Sequence, residues 1–311
     1  MDGKGRELVT IIALSYNHAT YIPEALQSLF NQTYLNIELI IIDDASSDVS
    51  CQVIESCIKD RAVLFLRNEK NIGNCSSFNR AYQYAKGAYI IDFALDDIMY
   101  PTRIEKQVAL FQNSIDKVGV IFSNVDVISD MGSMLHTHYP KYHHRTNKSK
   151  IPVGNVFEAL LSQYYVNPVG MMSRREVFER LNGYDESLAY EDFDFWIRSA
   201  RLFEYAYIPE VLSAKRIVST SLSTHFYRTN RAAMFESTLQ VCKKAWWLCI
   251  SKSEEQALVA RCRYEARQAY IYNYPIVVVG YLEMMKTIDR CYHFYNPIIR
   301  MLLLLKKRSS T

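Results

Sequence analysis

Carboxylates cluster at three places in this chain: Asp43/Asp44, Asp96/Asp97 and Glu191/Asp192/Asp194. The first two pairs close apolar runs, "IELIIIDD" and "YIIDFALDD", that read as buried β-strands ending in negative charge. A carboxylate at the C-terminal end of a strand can ligate a divalent cation, cap the helix that follows, or simply face water. A single cluster of this kind reads equally well as a helix cap. Two pairs on one edge of one sheet are different, because that edge would repel an anionic substrate unless a cation stood between them. Mg²⁺ or Mn²⁺ bridging two phosphates removes the conflict, since both are hard ions that take oxygen ligands. The chain has no GxxxxGK[ST] loop, and no GxGxxG follows its first apolar strand, so P-loop and dinucleotide chemistries are excluded.

Positioning such an edge requires a parallel sheet, and the sequence supplies one. "LVTIIALS" (residues 8–15) is a continuous apolar run, as expected for a strand covered on both faces. "YIPEALQSLFNQ" follows with helical spacing and Pro23 near its start. The pattern then repeats through the Asp43/Asp44 strand, the helix "VSCQVIESCIKD", the strand "AVLFLRN", the loop "EKNIGNCSS", a helix to Lys86, and the Asp96/Asp97 strand. This β-α-β-α-β-α-β order predicts an α/β fold with a mostly parallel central sheet, and ligands bind such sheets outside the carboxyl ends of their strands. A helix "TRIEKQVALFQNS" and a strand "VGVIFSNVDVIS" come next, then "VGNVFEALLSQ" (helix), "NPVGMMSR" (strand) and "REVFERLNGYDE" (helix closed by Gly183). "YEDFDFWIRSAR" opens a helix with acids in its first turn, and from about residue 229 the chain reads as helices alone.

Composition sets the class. The 311 residues are 49% hydrophobic and 22% charged, which reads as globular rather than disordered. A net charge of +3 gives no electrostatic case for a nucleic-acid partner. Seven cysteines without a CxxC pair argue against a zinc ribbon or a disulfide framework and fit a reducing compartment. The opening residues contain no signal-like apolar region, and no run reaches the ~20 apolar residues of a membrane span. A cytoplasmic protein is expected, either free or peripheral on the inner face of the plasma membrane. "YNPIIRMLLLLKKRSST" at the C-terminus sets apolar residues beside Lys306, Lys307 and Arg308; it reads either as an interfacial anchor or as a terminal helix packed on the domain. His136, His138, His143 and His144 lie in a basic stretch without metal-ligand spacing and read as loop.

The segments "VTIIALSYNHATYIPEALQSLFNQTYLNIELIIIDDASSD", "NEKNIGNCSSFNRAYQYAKGAYIIDFALDDIMYPTRIEKQ" and "GYDESLAYEDFDFWIR" resemble family 2 glycosyltransferases of the GT-A fold, over roughly residues 8–225. The resemblance implies a GT-A domain at 1–228, with a nucleotide-binding half near 8–128 and an acceptor-side half near 129–228, and an appended helical region at 229–311. It implies that Asp96 and Asp97 share the roles of metal ligand and ribose contact, undivided between them. Asp44 matches the carboxylate that reads the base, with Ser15, Tyr16 and Asn17 beside the nucleotide, and Asn71 and Gly73 match the "NxG" loop. Glu191 and Asp192 match the "ED" motif, whose Asp is the usual catalytic base. Asp194 is expected to point elsewhere, and Trp196 to sit in the core.

The chain departs from the pattern twice. Ala94 stands where the usual DxD has its first Asp, and Val218 stands where a Tyr-Arg-x-His motif would have His, leaving Lys215 and Arg216 as the diphosphate candidates. The expected chemistry is inverting transfer of a hexosyl or N-acetylhexosaminyl group from a nucleotide-diphospho-sugar, UDP-linked, to a glycan or lipid-linked acceptor in polysaccharide assembly. It needs a general base for the acceptor hydroxyl and a Lewis acid, Mn²⁺ or Mg²⁺, for the leaving diphosphate. Two alternatives are a sugar-phosphate nucleotidyltransferase, which would want a Gly-rich basic loop where this chain has "SYNHATYI", and a non-catalytic carbohydrate-binding protein, which would not need ordered carboxylates.

Overall fold

A computed structural model of the chain describes residues 7–139, 151–218 and 231–289. Both histidines at 143 and 144 and the basic C-terminal segment therefore lie outside the described residues. The architecture is α/β, built on a nine-stranded sheet in the order β3-β2-β1-β4-β8-β6-β9-β5, with β7 paired to β6.

The parallel half comprises β1 (Val9–Ser15), β2 (Ile37–Asp43), β3 (Leu64–Arg67) and β4 (Tyr89–Ala94). All seven residues of β1 are buried, because helices cover both faces of the sheet. Those helices are α1 (Ile22–Phe30), α2 (Ser50–Ile58) and α3 (Asn74–Tyr82). Pro23 sits in the first turn of α1, where its missing N–H costs nothing, and Ile22, Ala25, Leu26 and Leu29 form the buried face. Register decides what the sheet presents. Ser15 pairs with Asp43, and Leu14 with Ala94, so three strands end level and the residues that follow them share one edge.

The other half is mixed: β5 (Ile98–Met99), β6 (Val118–Ser129), β7 (Met134–Thr137), β8 (Met172–Arg174) and β9 (Glu204–Ile217). The stretch "NPVGMMSR", expected to be one strand, divides. Pro168–Gly170 forms a 3₁₀ turn capped by Asn167, whose Oδ1 accepts from the Val169 N–H at 3.2 Å. Only Met172–Arg174 is strand, inserted antiparallel between β4 and β6. At Gly170 a Cβ would fall 2.7 Å from the Ser123 carbonyl oxygen, so a side chain there would push the turn off β6. β9 is a 14-residue strand not delimited from the sequence; it runs parallel to β6 and carries Lys215 and Arg216 near its own end.

Remaining helices are α4 (Arg103–Gln112), α5 (Phe157–Ser162), α6 (Arg175–Leu181), α7 (Asp192–Leu202), α8 (Arg231–Leu248), α9 (Lys252–Ile271) and α10 (Pro275–Ile288). One core cluster lies under α1 and α4. The other joins α3, α6 and α7 to the C-terminal helices, with Phe193, Trp196, Val241, Leu258 and Tyr281 in one continuous body. Ion pairs reinforce this junction: Lys244 of α8 donates to Asp185 and, at 2.7 Å, to Asp194. Asp194 is buried and also accepts from Arg198 at 2.6 Å, so it points away from the sheet edge and fastens α7 to its surroundings. Among the described residues, no helix is long and apolar enough to cross a membrane.

Candidate active site

The nucleotide-side residues stand on three adjacent loops. Asp43 is fully buried and spends both oxygens on Ser46, accepting from its N–H at 2.8 Å and its hydroxyl at 2.6 Å. It caps the turn after β2. Asp44 turns the other way: Oδ1 accepts from Asn68 Nδ2 at 2.7 Å and the Ile72 N–H at 2.9 Å, and Oδ2 from the Gly73 N–H at 2.9 Å. The carboxylate thus holds the β3–α3 loop, where Gly73 adopts φ 86°, a conformation glycine reaches without a Cβ penalty. Asn17, itself left-handed at φ 56°, links the first two loops through its Oδ1, which accepts from the Ser47 N–H at 2.9 Å. Tyr16, Asn17 and Asn71 are exposed to solvent. Ser15 is buried, and among the described residues neither its hydroxyl nor the buried His18 Nδ1 has a hydrogen-bond partner.

Asp96 and Asp97 follow β4 and are both largely buried. Asp97 Oδ1 accepts from the Arg216 N–H at 2.8 Å. Arg216 itself is committed: its Nε donates to the Asp96 carbonyl at 2.9 Å, Nη1 to the carbonyls of Ser129 and Asp130, and Nη2 to Glu24 at 2.6 Å. It anchors the acidic turn to β6 and α1. Burial pushes the Asp97 carboxyl well above its ordinary range, the neighbouring Asp96 charge adds to this, and the Arg216 N–H and the charges of Lys215 and Arg216 oppose it. His18 Nε2 lies 3.9 Å from Asp96 Oδ2.

Across the cleft, Glu191 precedes α7 and Asp192 is its first residue. Burial and the Glu191 charge raise the Asp192 carboxyl to about 8, with the Lys215 charge pulling the other way. Glu191 is raised by burial, against a hydrogen bond from the Asn74 side chain. The two acidic groups line one cavity of about 270 Å³, and Lys215 stands in its wall with them. Ser15, Tyr16, Asn17, Asp44, Asn71 and Gly73 gather on the loops next to it rather than in its wall.

Sequence reasoning passed over Asp92. It shares the cavity-facing side of β4 with Ala94, as the two-residue period of a strand dictates, and Asp96 joins them from the turn that follows. Its Oδ2 accepts from the Tyr184 hydroxyl at 3.0 Å, and burial together with the Glu191 charge pushes its carboxyl well above the usual range. The signal was present as a lone Asp inside an apolar run, on the same strand parity as Asp96. Asn74, Tyr184 and His18 also line the cavity and carried no spacing that singled them out.

A sequence model for glycosyl transferase family 2 matches residues 10–181. The chain belongs to that family. An uncharacterized glycosyltransferase of Methanocaldococcus jannaschii is 33% identical over 217 residues, 68% of this chain and 71% of the relative. Another from Rickettsia typhi is 26% identical over 274 residues, covering 87% and 84%. Among solved structures, S. aureus TarS 1-349 in complex with UDP-GlcNAc superposes with a TM-score of 0.69 at 13% identity, over 91% of this chain and 83% of that one. The mannosyltransferase PcManGT from Pyrobaculum calidifontis, in complex with GDP-Man and Mn²⁺, gives 0.61 at 17% identity, over 99% and 82%. At these identities the structural likeness speaks for the fold, which is GT-A.

Proposed function

We propose that this family 2 glycosyltransferase inverts configuration, moving a hexosyl or N-acetylhexosaminyl group from a UDP-linked donor to a hydroxyl of a glycan or lipid-linked acceptor in polysaccharide assembly. The observation that carries the reading is one cavity lined by Asp96 and Asp97 together with Glu191 and Asp192. A single displacement needs leaving-group and nucleophile chemistry on opposite faces of the sugar carbon, and this arrangement supports that. The nucleotide-sugars bound by S. aureus TarS and by PcManGT support a donor of this class.

The donor set fits a hard dication. Two adjacent buried carboxylates, one of them already raised by its neighbour's charge, are oxygen donors short of positive charge. Asp96 and Asp97 would hold Mn²⁺ or Mg²⁺, with Ala94 withdrawing the usual third carboxylate. A bound dication supplies charge neutralisation for the diphosphate. The protein's own groups do the rest. Ser15 and His18 offer unpartnered polar atoms beside the nucleotide loops. Lys215, in the cavity wall, is the cation that can meet the diphosphate while Arg216 stays tied into the turn. Asp192 takes the proton from the acceptor hydroxyl, and a base raised toward neutrality suits that transfer. Glu191 orients the acceptor and sets the basicity of Asp192 through its charge.

A panel of UDP- and GDP-linked sugars, assayed for slow hydrolysis with and without Mn²⁺, tests the reading. Hydrolysis of at least one UDP-sugar, stimulated by Mn²⁺, is expected. No hydrolysis of any member, together with no UDP binding by calorimetry, refutes it.

A further inference from the structure

Beyond Asp192 lies a second, larger cavity of about 530 Å³, which shares Pro168, Tyr190, Asp192, Lys215 and Met234 with the first. We propose that it is the acceptor subsite, and that helix α9 recognises a pyranosyl ring of the acceptor there through Glu265 and Gln268, with Tyr264 and Tyr272 as walls. This rests on the glycosyltransferase reading above, because Asp192 can deprotonate only a hydroxyl that reaches it from the side away from the diphosphate. The second cavity opens on Asp192, which stands in the walls of both.

Its chemistry is that of a sugar site. Tyr264, Gln268 and Tyr272 recur every four residues and so line up along one face of α9 and its C-terminal end, and all three border the cavity. Tyr164 and Phe193 form the opposite wall, in edge-to-face contact at 4.9 Å between ring centroids. Flat aromatic walls suit the apolar face of a pyranose, and a few fixed polar groups then orient it. Glu265 is the most constrained of these. It is 93% buried by accessible area, its residue being 7% exposed, and Oε1 accepts from Arg261 Nη1 at 3.2 Å. Among the described residues no hydrogen bond reaches Oε2, which leaves that oxygen to the cavity. Arg261 is held in turn by the Leu161 carbonyl at 3.0 Å and by the Tyr164 ring, 3.8 Å beneath its guanidinium. Arg261 thus stands behind Glu265 and fixes its orientation toward the cavity.

Charge narrows the ligand class. The Glu265–Arg261 pair is neutral as a unit, and Lys215 and Asp192 at the junction are one cation and one carboxyl group, so the cavity has no excess of either sign and a neutral pyranosyl unit fits it. The family match ends at residue 181, and every α9 contact lies beyond it. Acceptor choice would then be encoded in the C-terminal helices, apart from the donor machinery.

Saturation-transfer NMR on the full chain, with UDP and diamagnetic Mg²⁺ present, tests this with 4-nitrophenyl α- and β-glycosides of the common hexoses and N-acetylhexosamines. At least one glycoside should receive saturation on its ring protons, while 4-nitrophenol alone receives none. Glu265→Gln, which keeps an oxygen for Arg261, and Gln268→Ala should each weaken that glycoside about tenfold or more, the effect of one buried hydrogen bond to a charged or fixed polar group. Tyr264→Ala, at a residue 55% exposed and so safe for folding, should weaken it too. UDP affinity should stay unchanged in all three. The proposal is overturned if UDP binds and no glycoside does, if glycoside binding ignores the three substitutions, or if 4-nitrophenol binds as well as its glycosides. Glycoside binding without any UDP binding or donor hydrolysis would instead sink the glycosyltransferase reading and leave the sugar site standing.

Discussion

Replacing Asp192 by Asn separates catalysis from binding. No hydrogen bond from a described residue reaches the Asp192 side chain, so the substitution orphans no partner, and Asn keeps its shape. Loss of a general base should lower the transfer rate by roughly two to four orders of magnitude, about 3–5 kcal/mol of barrier. UDP affinity should hold, because the loops that Asn17 and Asp44 tie together stand beside the cavity and not in its wall with Asp192. The pH dependence gives the stricter check. A base whose carboxyl is raised to about 8 is ionised only above that pH, so wild-type kcat/KM should climb toward pH 8. The residual activity of the Asp192→Asn variant should lose that limb. Stability must move the opposite way. Folding raises this carboxyl above its unfolded value of about 4, so its ionised form disfavours the fold increasingly between pH 4 and 8. Asp192→Asn should therefore raise Tm at pH 8, with the gain gone at pH 4. Radiolabelled or coupled transfer assays, calorimetry with UDP, and thermal melts at both pH values read these outcomes. A fully active variant removes the base assignment, and an unchanged acidic limb in a slowed variant assigns the limb elsewhere.

Glu191→Gln deletes a charge that raises Asp192, so the acidic limb of kcat/KM should shift to lower pH while the maximal rate falls less than in Asp192→Asn. Lys215→Met should do the reverse to the limb, moving it up, and should weaken UDP binding with a shallower salt dependence. Calorimetry with UDP, with and without Mn²⁺, should show Asp96→Asn and Asp97→Asn losing the metal-dependent part of the affinity. Asp44→Ala should weaken UDP in either condition, since it also frees the loop that its carboxylate holds; equal affinities in all four proteins would refute the nucleotide-site assignment. Lys244→Met leaves buried Asp194 with Arg198 alone and should cost about 1–3 kcal/mol in urea unfolding at pH 7. Burial works against ionisation of Asp185, but Lys244 and Ser187 hold it at about 2, so that share of the loss should shrink as pH falls below about 4 and through 2.

The parallel half of the sheet was readable because its signals are local. Each strand is a short apolar run, buried along all of β1 and most of β2 and β4, and each helix has its own apolar stripe. The segment at 167–174 was not, since a 3₁₀ turn and a three-residue strand contain too few residues for a period, and their conformation is set by contact with β6. The C-terminal helices were legible as helices, yet nothing in their sequence says that they share a core with α7. That follows from long-range contacts such as Lys244 with Asp194, whose partners are 50 positions apart.

The site divides along the same line. Motif residues on strand ends were readable from order and spacing, but the commitments of their side chains were not. Arg216 and Lys215 are neighbours in sequence and both border the cavity, but the Arg216 guanidinium is spent on the Asp96–Glu24 anchor, whereas the Lys215 charge acts on Asp192. Asp92 makes the converse case. The strand face that usually carries the first Asp of the motif at position 94 here carries Ala94, while a carboxylate appears one strand period earlier, at Asp92. Asp92 cannot replace the missing ligand, because it lies about 7 Å further down the strand by the rise per residue and its oxygen accepts from Tyr184. Its neighbours are instead Glu191 and Asp192, whose charges raise its own carboxyl. Asp92→Asn should accordingly leave Mn²⁺-dependent UDP affinity intact, and because the charge that raises Asp192 is that of Glu191, the acidic limb of kcat/KM should stay where it is. A loss of metal-dependent binding in that variant would instead put Asp92 with the metal ligands.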